Sequence, residues 1–320
     1  MCHALGDVEA LGVEDVSDPE PAPGQVLVRV LAAGVNYVDG LMVQGGYQIR
    51  PDVPYVPGGE LVGVVERLGP GVDAPTPGRR VIALSGFGAW AERAAIAASS
   101  AVAVPDDLDI AVAATLTQAY CTAHFALCQR ADVQPGQRVL VLGGGGGVAM
   151  AAINLASALG ATVVATGSTP EKRAAAALAG AESTVDPGEE PLKERVRELT
   201  GGEGVDLVFD PVGGDLAEPA LRTLREGGRY LVIGFASGHI PRLPLNQVLL
   251  RNRSVVGVDW GAWAFTHPAE QRRLLEELVA MATVGTLRPP VPARQPLERA
   301  PAVLRAFLDR RMVGRVALVP

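Results

Sequence analysis

Residues 139–150 read Val-Leu-Val-Leu-Gly-Gly-Gly-Gly-Gly-Val-Ala-Met, an apolar run followed by five glycines and a stretch of small residues. This order predicts a buried strand, a tight turn and a helix. The three small-residue positions of the dinucleotide-binding pattern G-x-G-x-x-G/A fall on Gly144, Gly146 and Ala149. In that pattern the first position permits the turn, the second lets the backbone approach a pyrophosphate, and the third allows helix and strand to pack closely. Backbone N–H groups at the helix start, around Gly147 and Val148, are expected to bind phosphate.

Strand and helix signals alternate after this turn. Short apolar or β-branched runs predict strands at 161–166, 205–210 and 230–234, and helices at 149–159, 170–179 and 217–225. The region from about Ala113 to Asp259 is therefore predicted to be a doubly wound α/β domain of the Rossmann type, with a parallel sheet. Ligands of such sheets bind beyond the carboxyl ends of the strands, so Gly234, Phe235 and Ser237 are candidate binding residues.

The end of the second strand indicates which dinucleotide is bound. A site for NAD has an acid about 20 residues past the glycines, at the strand end, to bind the ribose 2′-OH. Residues 166–173 read Thr-Gly-Ser-Thr-Pro-Glu-Lys-Arg, with hydroxyls and two cations but no acid at the strand end. Ser168 and Lys172, with Arg173, are therefore predicted to bind the 2′-phosphate of NADPH. In the alternative interpretation, Lys172 and Arg173 are the solvated face of a surface helix.

Composition favours a two-domain enzyme. The chain has 320 residues, of which 48% are hydrophobic, and a net charge of −7. This charge argues against nucleic acid or an anionic membrane as the principal partner. No segment approaches the length of a membrane span, and the start at Met1 lacks the basic and long apolar parts of a signal peptide. A cytoplasmic location is expected.

Cysteine and histidine are too sparse to indicate a metal site. The three cysteines, Cys2, Cys121 and Cys128, form no C-x-x-C pair, and the four histidines are scattered. Cys121, His124 and Cys128 have helical spacing and would face one metal in one interpretation. A packed helix explains them equally well and is favoured for residues of this kind. No metal is predicted.

The N-terminal part has short predicted strands, such as residues 25–31, separated by clusters of proline and glycine. This pattern is typical of a mainly antiparallel, partly barrel-like β domain. The C-terminal residues 315–319 predict one more strand, preceded by a helix at 297–308. We expect this last strand to return to the first domain.

Several motifs lie in an order that is specific as a set. They are Ala33–Asp39 (AGVNYVD), Gly45–Tyr47 (GGY), Pro57–Glu60 (PGGE), Gly63–Val65 (GVV), Thr122–Ala123 (TA), the glycine turn, Asp210–Gly214 (DPVGG) and Gly234–Gly238 (GFASG). With them the chain resembles the zinc-independent quinone oxidoreductases, the zeta-crystallin-like branch of the medium-chain dehydrogenase/reductase superfamily. The resemblance implies a GroES-like substrate domain from residues 1–115 and 260–320, a Rossmann domain from 116–259, and an active site in the cleft between them.

The same resemblance assigns roles to single residues. Zinc-dependent relatives have a cysteine where this chain has Asn36 and a histidine where it has Gly59, so both ligands are absent. Without a Lewis acid, reduction of a conjugated acceptor is favoured over alcohol oxidation. Asn36 is expected at the nicotinamide, with a turn residue as the alternative. Tyr47 matches the proton donor of related enoyl reductases, with a packing role as the alternative, and Thr122 is expected to face the nicotinamide ring.

Two acidic residues have smaller expected roles. Asp39 is predicted to cap or orient its neighbours, and Glu60 to pair with a cation. Two departures from the family pattern concern the cofactor. Ala149 replaces a glycine, and Pro187 stands where many relatives have a tyrosine near the ribose phosphate.

The sequence therefore predicts an NADPH-dependent reductase with a quinone as acceptor. An enone, alkenal or enoyl thioester is the alternative acceptor, and a low-turnover NADPH-binding structural or sensing protein is the alternative class. The expected partner is a small conjugated carbonyl compound, with neither nucleic acid nor membrane. Residues 254–258 are β-rich and predict an edge strand that would pair two copies into a homodimer.

Overall fold

Two β-sheets organise the chain in this computed structural model, which describes residues 1–320. The strands, numbered in chain order, are β1 (Gln25–Val35), β2 (Glu60–Leu68), β3 (Arg80–Leu84), β4 (Arg93–Ala97), β5 (Val102–Ala103), β6 (Arg138–Val141), β7 (Thr162–Thr166), β8 (Ser183–Val185), β9 (Val205–Asp210), β10 (Leu224–Val232), β11 (Ser254–Gly257), β12 (Ala293–Pro296) and β13 (Val316–Val319). The α-helices are α1 (Tyr37–Val43), α2 (Ile110–Ala114), α3 (Thr117–His124), α4 (Gly147–Ala158), α5 (Pro170–Ala179), α6 (Leu192–Leu199), α7 (Ala217–Thr223), α8 (Leu245–Leu249), α9 (Trp260–Thr266), α10 (Pro268–Thr283) and α11 (Ala300–Leu308).

The chain divides into two units, each with its own sheet. The first unit comprises residues 1–119, 266–285 and 291–320, and the second comprises residues 120–265 and 286–290. The boundaries expected from the sequence, after residues 115 and 259, lie a few residues before these division points. No helix has both the length and the apolar character that crossing a membrane requires.

The seven-stranded sheet lies in the first unit, in the order β12-β13-β1-β2-β3-β5, with β4 also paired to β1. Every pairing is antiparallel except that of β12 with β13. The C-terminal strand pairs with β1, with Ala33 opposite Leu318. This confirms the predicted mainly antiparallel domain and the return of the last strand. β1 continues four residues beyond the predicted end because β2 and β13 offer backbone partners as far as Ala33 and Val35.

The six-stranded sheet of the second unit has the order β11-β10-β9-β6-β7-β8, and all its pairings are parallel. The apolar run that precedes the glycines forms β6 near the middle of this sheet. Val139, Leu140 and Val141 are fully buried there, as expected of a strand covered on both faces. The predicted doubly wound sheet is confirmed.

Local signals explain where the helices of this sheet begin and end. Thr169 Oγ1 accepts the Lys172 N–H at 3.3 Å, and Pro170 follows at the first helical position, so α5 begins as predicted. It ends at Gly180, whose φ of +115° an L side chain rarely adopts. β10 differs from the prediction because it starts at Leu224, where β9 already provides a partner in Val205, and it ends before Gly234.

Candidate functional site

The glycine turn joins β6 to α4, and its glycines have different structural roles. The sequence pattern assigned the turn to Gly144. In the structure Gly143 instead has the backbone conformation that favours glycine, with a φ of +66°. Gly144 is required for packing. A methyl group on it would lie 2.9 Å from Ala176 Cβ and 3.0 Å from Ala165 Cβ. The turn therefore keeps α5 and β7 close to the start of α4.

The start of α4 is open to a ligand. Gly146 is exposed, and no side chain caps the first turn of this helix. The first N–H groups of a helix lack intrahelical acceptors, and together with the helix dipole they attract anions. Gly147 and Val148 are half-buried and begin this turn. The arrangement suits a phosphate held by backbone N–H groups, so these residues fit a dinucleotide.

Ser168, just after β7, and Lys172, in the first turn of α5, lie near this turn. Lys172 Nζ donates to Ser168 Oγ at 3.4 Å, and a methyl group on Gly145 would lie 2.5 Å from Lys172 Cγ. The lysine stem therefore rests on the glycine turn. Arg173 differs from expectation because its guanidinium forms an ion pair with Asp186, at the end of β8.

A second loop, residues 211–214, follows β9 and is held by Asp210. The buried carboxylate of Asp210 accepts the N–H groups of Val212 at 2.7 Å and Gly213 at 2.8 Å. The Tyr230 hydroxyl donates to its other oxygen at 2.5 Å. Burial and the charge of Asp210 raise the pKa of Tyr230, which keeps that hydroxyl protonated. Sequence reasoning missed both anchoring residues, although Asp210 begins the DPVGG motif.

This second loop connects the glycine turn to the residues after β10. A methyl group on Gly143 would lie 2.8 Å from Val212 Cγ2, and one on Gly213 would lie 2.9 Å from Phe235 Cδ1. The Ser237 N–H donates to Val212 O at 2.9 Å. Gly234 donates its N–H to the Asp210 carbonyl at 3.3 Å. The predicted residues Gly234, Phe235 and Ser237 are therefore grouped with the glycine turn in the second unit.

Asn36 lies in the first unit, between β1 and α1. Asp39 Oδ2 accepts the Asn36 backbone N–H at 2.7 Å, which confirms the predicted capping role of this carboxylate. Asn36 Nδ2 donates to Glu60 Oε1 at 2.8 Å. A methyl group on Gly34 would lie 2.2 Å from that same oxygen, so only glycine fits at this position beside Glu60. The amide of Asn36 is thus held in a defined orientation.

Glu60 connects three elements of the first unit. Besides the Asn36 amide, its Oε2 accepts the Gln118 N–H at 2.7 Å. Burial raises the pKa of Glu60 to about 7, although the Asn36 and Gln118 donors and the charge of Arg315 oppose this shift. Glu60 was expected to pair with a cation. Arg315 acts on it electrostatically, but hydrogen bonds from an amide side chain and a backbone N–H also hold it.

Asp39 is a second buried carboxyl group in this network. Burial raises its pKa to about 7, and the nearby charge of Glu60 contributes in the same direction. The Asn36 N–H opposes the shift because it stabilises the ionised form. Asp39 and Glu60, whose pKa values are both raised to about 7, therefore both bind Asn36.

The residues at the expected zinc-ligand positions do not fit a zinc ion. Gly59 has no side chain, and a methyl group on it would lie 2.1 Å from Gln118 Nε2, so the Gln118 amide fills the adjoining space. Asn36 uses its amide to bind Glu60. No three His, Cys, Asp or Glu side chains are grouped in a way that would hold a metal, and that includes Cys121, His124 and Cys128.

Two further predicted residues, Tyr47 and Thr122, lie on other parts of the chain. Tyr47 is half-buried and follows α1, whereas Asn36 precedes that helix. Thr122 is half-buried in α3 and belongs to the second unit. The candidate residues thus form one group around Asn36 and Glu60, and another around the glycine turn.

Comparisons with known proteins identify the family. Residues 22–106 match the family described as alcohol dehydrogenase GroES-like domain, and residues 147–280 match the one described as zinc-binding dehydrogenase. Quinone oxidoreductase-like protein 2 of Bos taurus is 36% identical over 309 residues, which cover 96% of this chain and 88% of that protein. The Mycobacterium tuberculosis mycocerosic acid synthase-like polyketide synthase is 32% identical over 317 residues, covering 98% of this chain but 15% of that protein.

A solved structure agrees with these matches. The quinone oxidoreductase of Escherichia coli, complexed with NADPH, superposes with a TM-score of 0.90 at 28% identity, covering 99% of this chain and 98% of that one. The likeness thus extends over both units. The chain therefore belongs to the medium-chain dehydrogenase/reductase superfamily of oxidoreductases, with the quinone oxidoreductases among its relatives.

Proposed function

We propose that the protein is an NADPH-dependent reductase that transfers hydride to a quinone. The observation that carries this proposal is the glycine turn, where an uncapped helix start lies beside Lys172 and Ser168 and no carboxylate ends β7. A ligand with a pyrophosphate and an additional phosphate matches this set of groups. The likeness to a quinone oxidoreductase complexed with NADPH supports the same ligand.

Bound NADPH would supply the hydride, from C4 of its nicotinamide. The protein's own part is to bind and orient. N–H groups of Gly147 and Val148 would hold the pyrophosphate, and the Lys172 ammonium with the Ser168 hydroxyl would bind the 2′-phosphate. Phe235 and Ser237, which pack on the 211–214 loop, would line the nicotinamide side of the site, and Thr122 would face the ring.

In the first unit, Asn36 would stabilise the negative charge that develops on the acceptor. One of its Nδ2 hydrogens is given to Glu60, so the other remains to donate to an acceptor oxygen. Because Glu60 fixes the amide in advance, little reorganisation accompanies the reaction. With an enone or enoyl acceptor, the hydroxyl of Tyr47 would donate the proton that, with the hydride, completes the reduction, whereas a hydroquinone anion can take its proton from water.

The proposed reaction is independent of zinc. Gly59 has no side chain and Gln118 fills the space next to it, and Asn36 offers neither a thiolate nor an imidazole, so neither position has the ligand of the zinc-dependent relatives. A quinone is activated by its own conjugation and can accept hydride without a Lewis acid. Prolonged chelation is expected to leave NADPH oxidation unchanged. Stoichiometric zinc that is lost together with activity would contradict this part of the proposal.

The test of function is a panel of acceptors. Oxidation of NADPH is followed by its near-ultraviolet absorbance with quinones, enones, alkenals and enoyl thioesters, and NADH serves as the control cofactor. We expect the highest kcat/KM with a quinone. Absence of turnover with every acceptor, together with tight NADPH binding, would instead identify a binding protein of low turnover.

An enoyl thioester is the second candidate acceptor. The match to a segment of a mycocerosic acid synthase-like polyketide synthase supports this candidate. In such a substrate the hydride leaves an enolate that needs a proton, which the Tyr47 hydroxyl could donate. A higher kcat/KM with enoyl thioesters than with quinones would decide for this candidate.

We also propose that the protein forms a homodimer through β11. This strand lies at the edge of the six-stranded sheet, and Val255 on it is exposed. Leu245, Leu249 and Leu250, just before it, are each more than 70% exposed. Unpaired edges and apolar patches of this kind are usually covered. Light scattering should show twice the chain mass, and a Val255→Asp variant should be monomeric. A monomeric wild type would contradict the proposal.

The proposed location is the cytoplasm, on the sequence grounds already given. We propose that residues 1–115 and 260–320 bind the acceptor and that residues 116–259 bind the cofactor.

A further inference from the structure

Arg173 is a cation that the structure holds away from solvent at the carboxyl ends of β7 and β8. Its Nη1 donates to the Gly167 carbonyl at 2.8 Å and also to Asp186 Oδ2 in an ion pair. The two side chains are only 23% and 13% exposed. The guanidinium is therefore bound by an anion and by a carbonyl at the place where the sequence predicts 2′-phosphate binding.

Asp186 is itself held in position. Its Oδ1 accepts the Gly188 N–H at 2.9 Å, and its own N–H donates to Glu190 Oε2 at 3.2 Å. The Gly188 N–H lowers the pKa of Asp186, and Arg173 contributes in the same direction. The carboxylate is thus ionised at neutral pH. Removing Arg173 would leave a negative charge in place.

The sheet sets Asp186 beside the end of β7. β8 pairs in parallel with β7, and the Gly167 N–H donates to the Val185 carbonyl at 3.0 Å. Asp186 follows Val185 directly, and its carboxylate lies close to the Gly167 carbonyl because both accept from Nη1 of Arg173. A carboxylate at this edge of a Rossmann sheet suits a ribose 2′-OH and repels a 2′-phosphate.

We infer that the Arg173–Asp186 ion pair sets the cofactor preference: Asp186 withholds Arg173 from the 2′-phosphate, while Arg173 masks the carboxylate that would otherwise select a free 2′-OH. This inference rests on the proposed NADPH site. The pair contributes no net charge there, so the preference for NADPH over NADH is smaller than two neighbouring cations would give. Arg173 without Asp186 would increase the preference for NADPH, and Asp186 without Arg173 would decrease it.

The test measures dissociation constants of NADPH and NADH by calorimetry, without any acceptor. Asp186→Asn keeps the shape and an acceptor for Gly188 but removes the charge. We expect it to tighten NADPH binding about three- to tenfold, as an uncovered cation near a phosphate would, and to leave NADH unchanged. Arg173→Ala should weaken NADPH binding about tenfold and tighten NADH binding, because the unmasked Asp186 carboxylate can then accept a free ribose 2′-OH. The double variant should return close to the wild-type ratio, because both charges are gone.

Glu189→Gln is the matched control. Glu189 has an exposed carboxylate, lies three residues after Asp186 and forms no hydrogen bond or ion pair with Arg173. If it tightens NADPH as much as Asp186→Asn does, general electrostatics explain the effect and the inference is wrong. An unchanged ratio of the two constants in Asp186→Asn also overturns it. If the wild type binds neither cofactor, the proposed function itself fails, which is a different result. Thermal unfolding of each variant verifies that the fold is retained.

Discussion

The glycine turn of the second unit and the Asn36–Glu60 network of the first unit are built from different parts of the chain. The turn uses backbone N–H groups and the absence of side chains, within one continuous stretch of sequence. The network joins the buried carboxyl groups of Glu60 and Asp39 to groups of Asn36 and to the Gln118 backbone N–H, from parts of the chain that lie far apart in sequence. The turn depends on close packing, whereas the network depends on charge and hydrogen bonding between buried groups. The two should therefore respond to different perturbations.

The largest effect is expected from a substitution that disrupts the glycine turn. In Gly144→Val the new side chain meets Ala176 and Ala165, which a Cβ would already approach within 3.0 Å. Because helix and strand must separate, we expect the NADPH dissociation constant to rise about a hundredfold, or about 2.8 kcal/mol. Calorimetry measures it. Gly12→Ala, where a Cβ meets nothing within 4 Å, is the control and should bind normally. Equal binding by both variants would show that packing at Gly144 is unimportant.

The next effect separates proton transfer from binding in the first unit. Tyr47→Phe removes only a hydroxyl. If this group protonates the product, reduction of an enone should fall about a hundredfold, since general acids contribute on the order of 10²-fold or more. Quinone reduction should change only a few-fold, because a hydroquinone anion is stable enough to take its proton from water. Steady-state kinetics with both acceptors provide the test. Equal losses would assign Tyr47 a positioning role, and no loss would assign it to packing.

A smaller effect concerns the electrostatics of the network. The folded-state pKa of Asp39, about 7, lies above its ordinary value of 3.8. The folded protein therefore binds a proton that the unfolded chain has lost between these values, and stability falls as the pH rises through this range. Asp39→Asn stays neutral and can still accept the Asn36 N–H.

Relative to wild type, the Asp39→Asn variant should gain on the order of 2 kcal/mol in free energy of unfolding between pH 5 and pH 6.5. Denaturant unfolding at both pH values measures this difference. The same substitution should leave NADPH binding to the glycine turn unchanged. A pH-independent difference between variant and wild type would show that Asp39 is not protonated in the fold.

The smallest effect tests whether Glu60 acts through Asn36. Glu60→Gln keeps the shape but weakens the hold on the Asn36 amide, and we expect kcat to fall about tenfold, or about 1.4 kcal/mol, with KM little changed. In an Asn36→Ala background, Glu60→Gln should reduce kcat by much less, because the amide that Glu60 binds is gone. Additive losses would show that Glu60 contributes independently of Asn36.

The glycine turn could be predicted because its information is local. Strand, turn and helix follow one another within residues 139–150, and the alternation of the later elements predicted a parallel sheet, which the structure confirms. The helix at 170–179 was predicted to the residue, since Thr169, Pro170 and Gly180 mark its ends. The motifs also predicted the family correctly. The roles of the candidate site residues remain predictions.

The sequence alone determined the succession of elements, the two sheet types and the glycine-rich turn, because each depends on neighbours along the chain. Only the tertiary structure decided which side chains meet. Glu60 reaches Asn36 and Gln118 because β2 pairs with β1 and α3 begins nearby, and Arg173 reaches Asp186 because β8 pairs with β7. A carboxylate in a sequence carries no sign of its partner or its burial. Whether it pairs with a cation, holds an amide or stays protonated depends on contacts that folding alone creates.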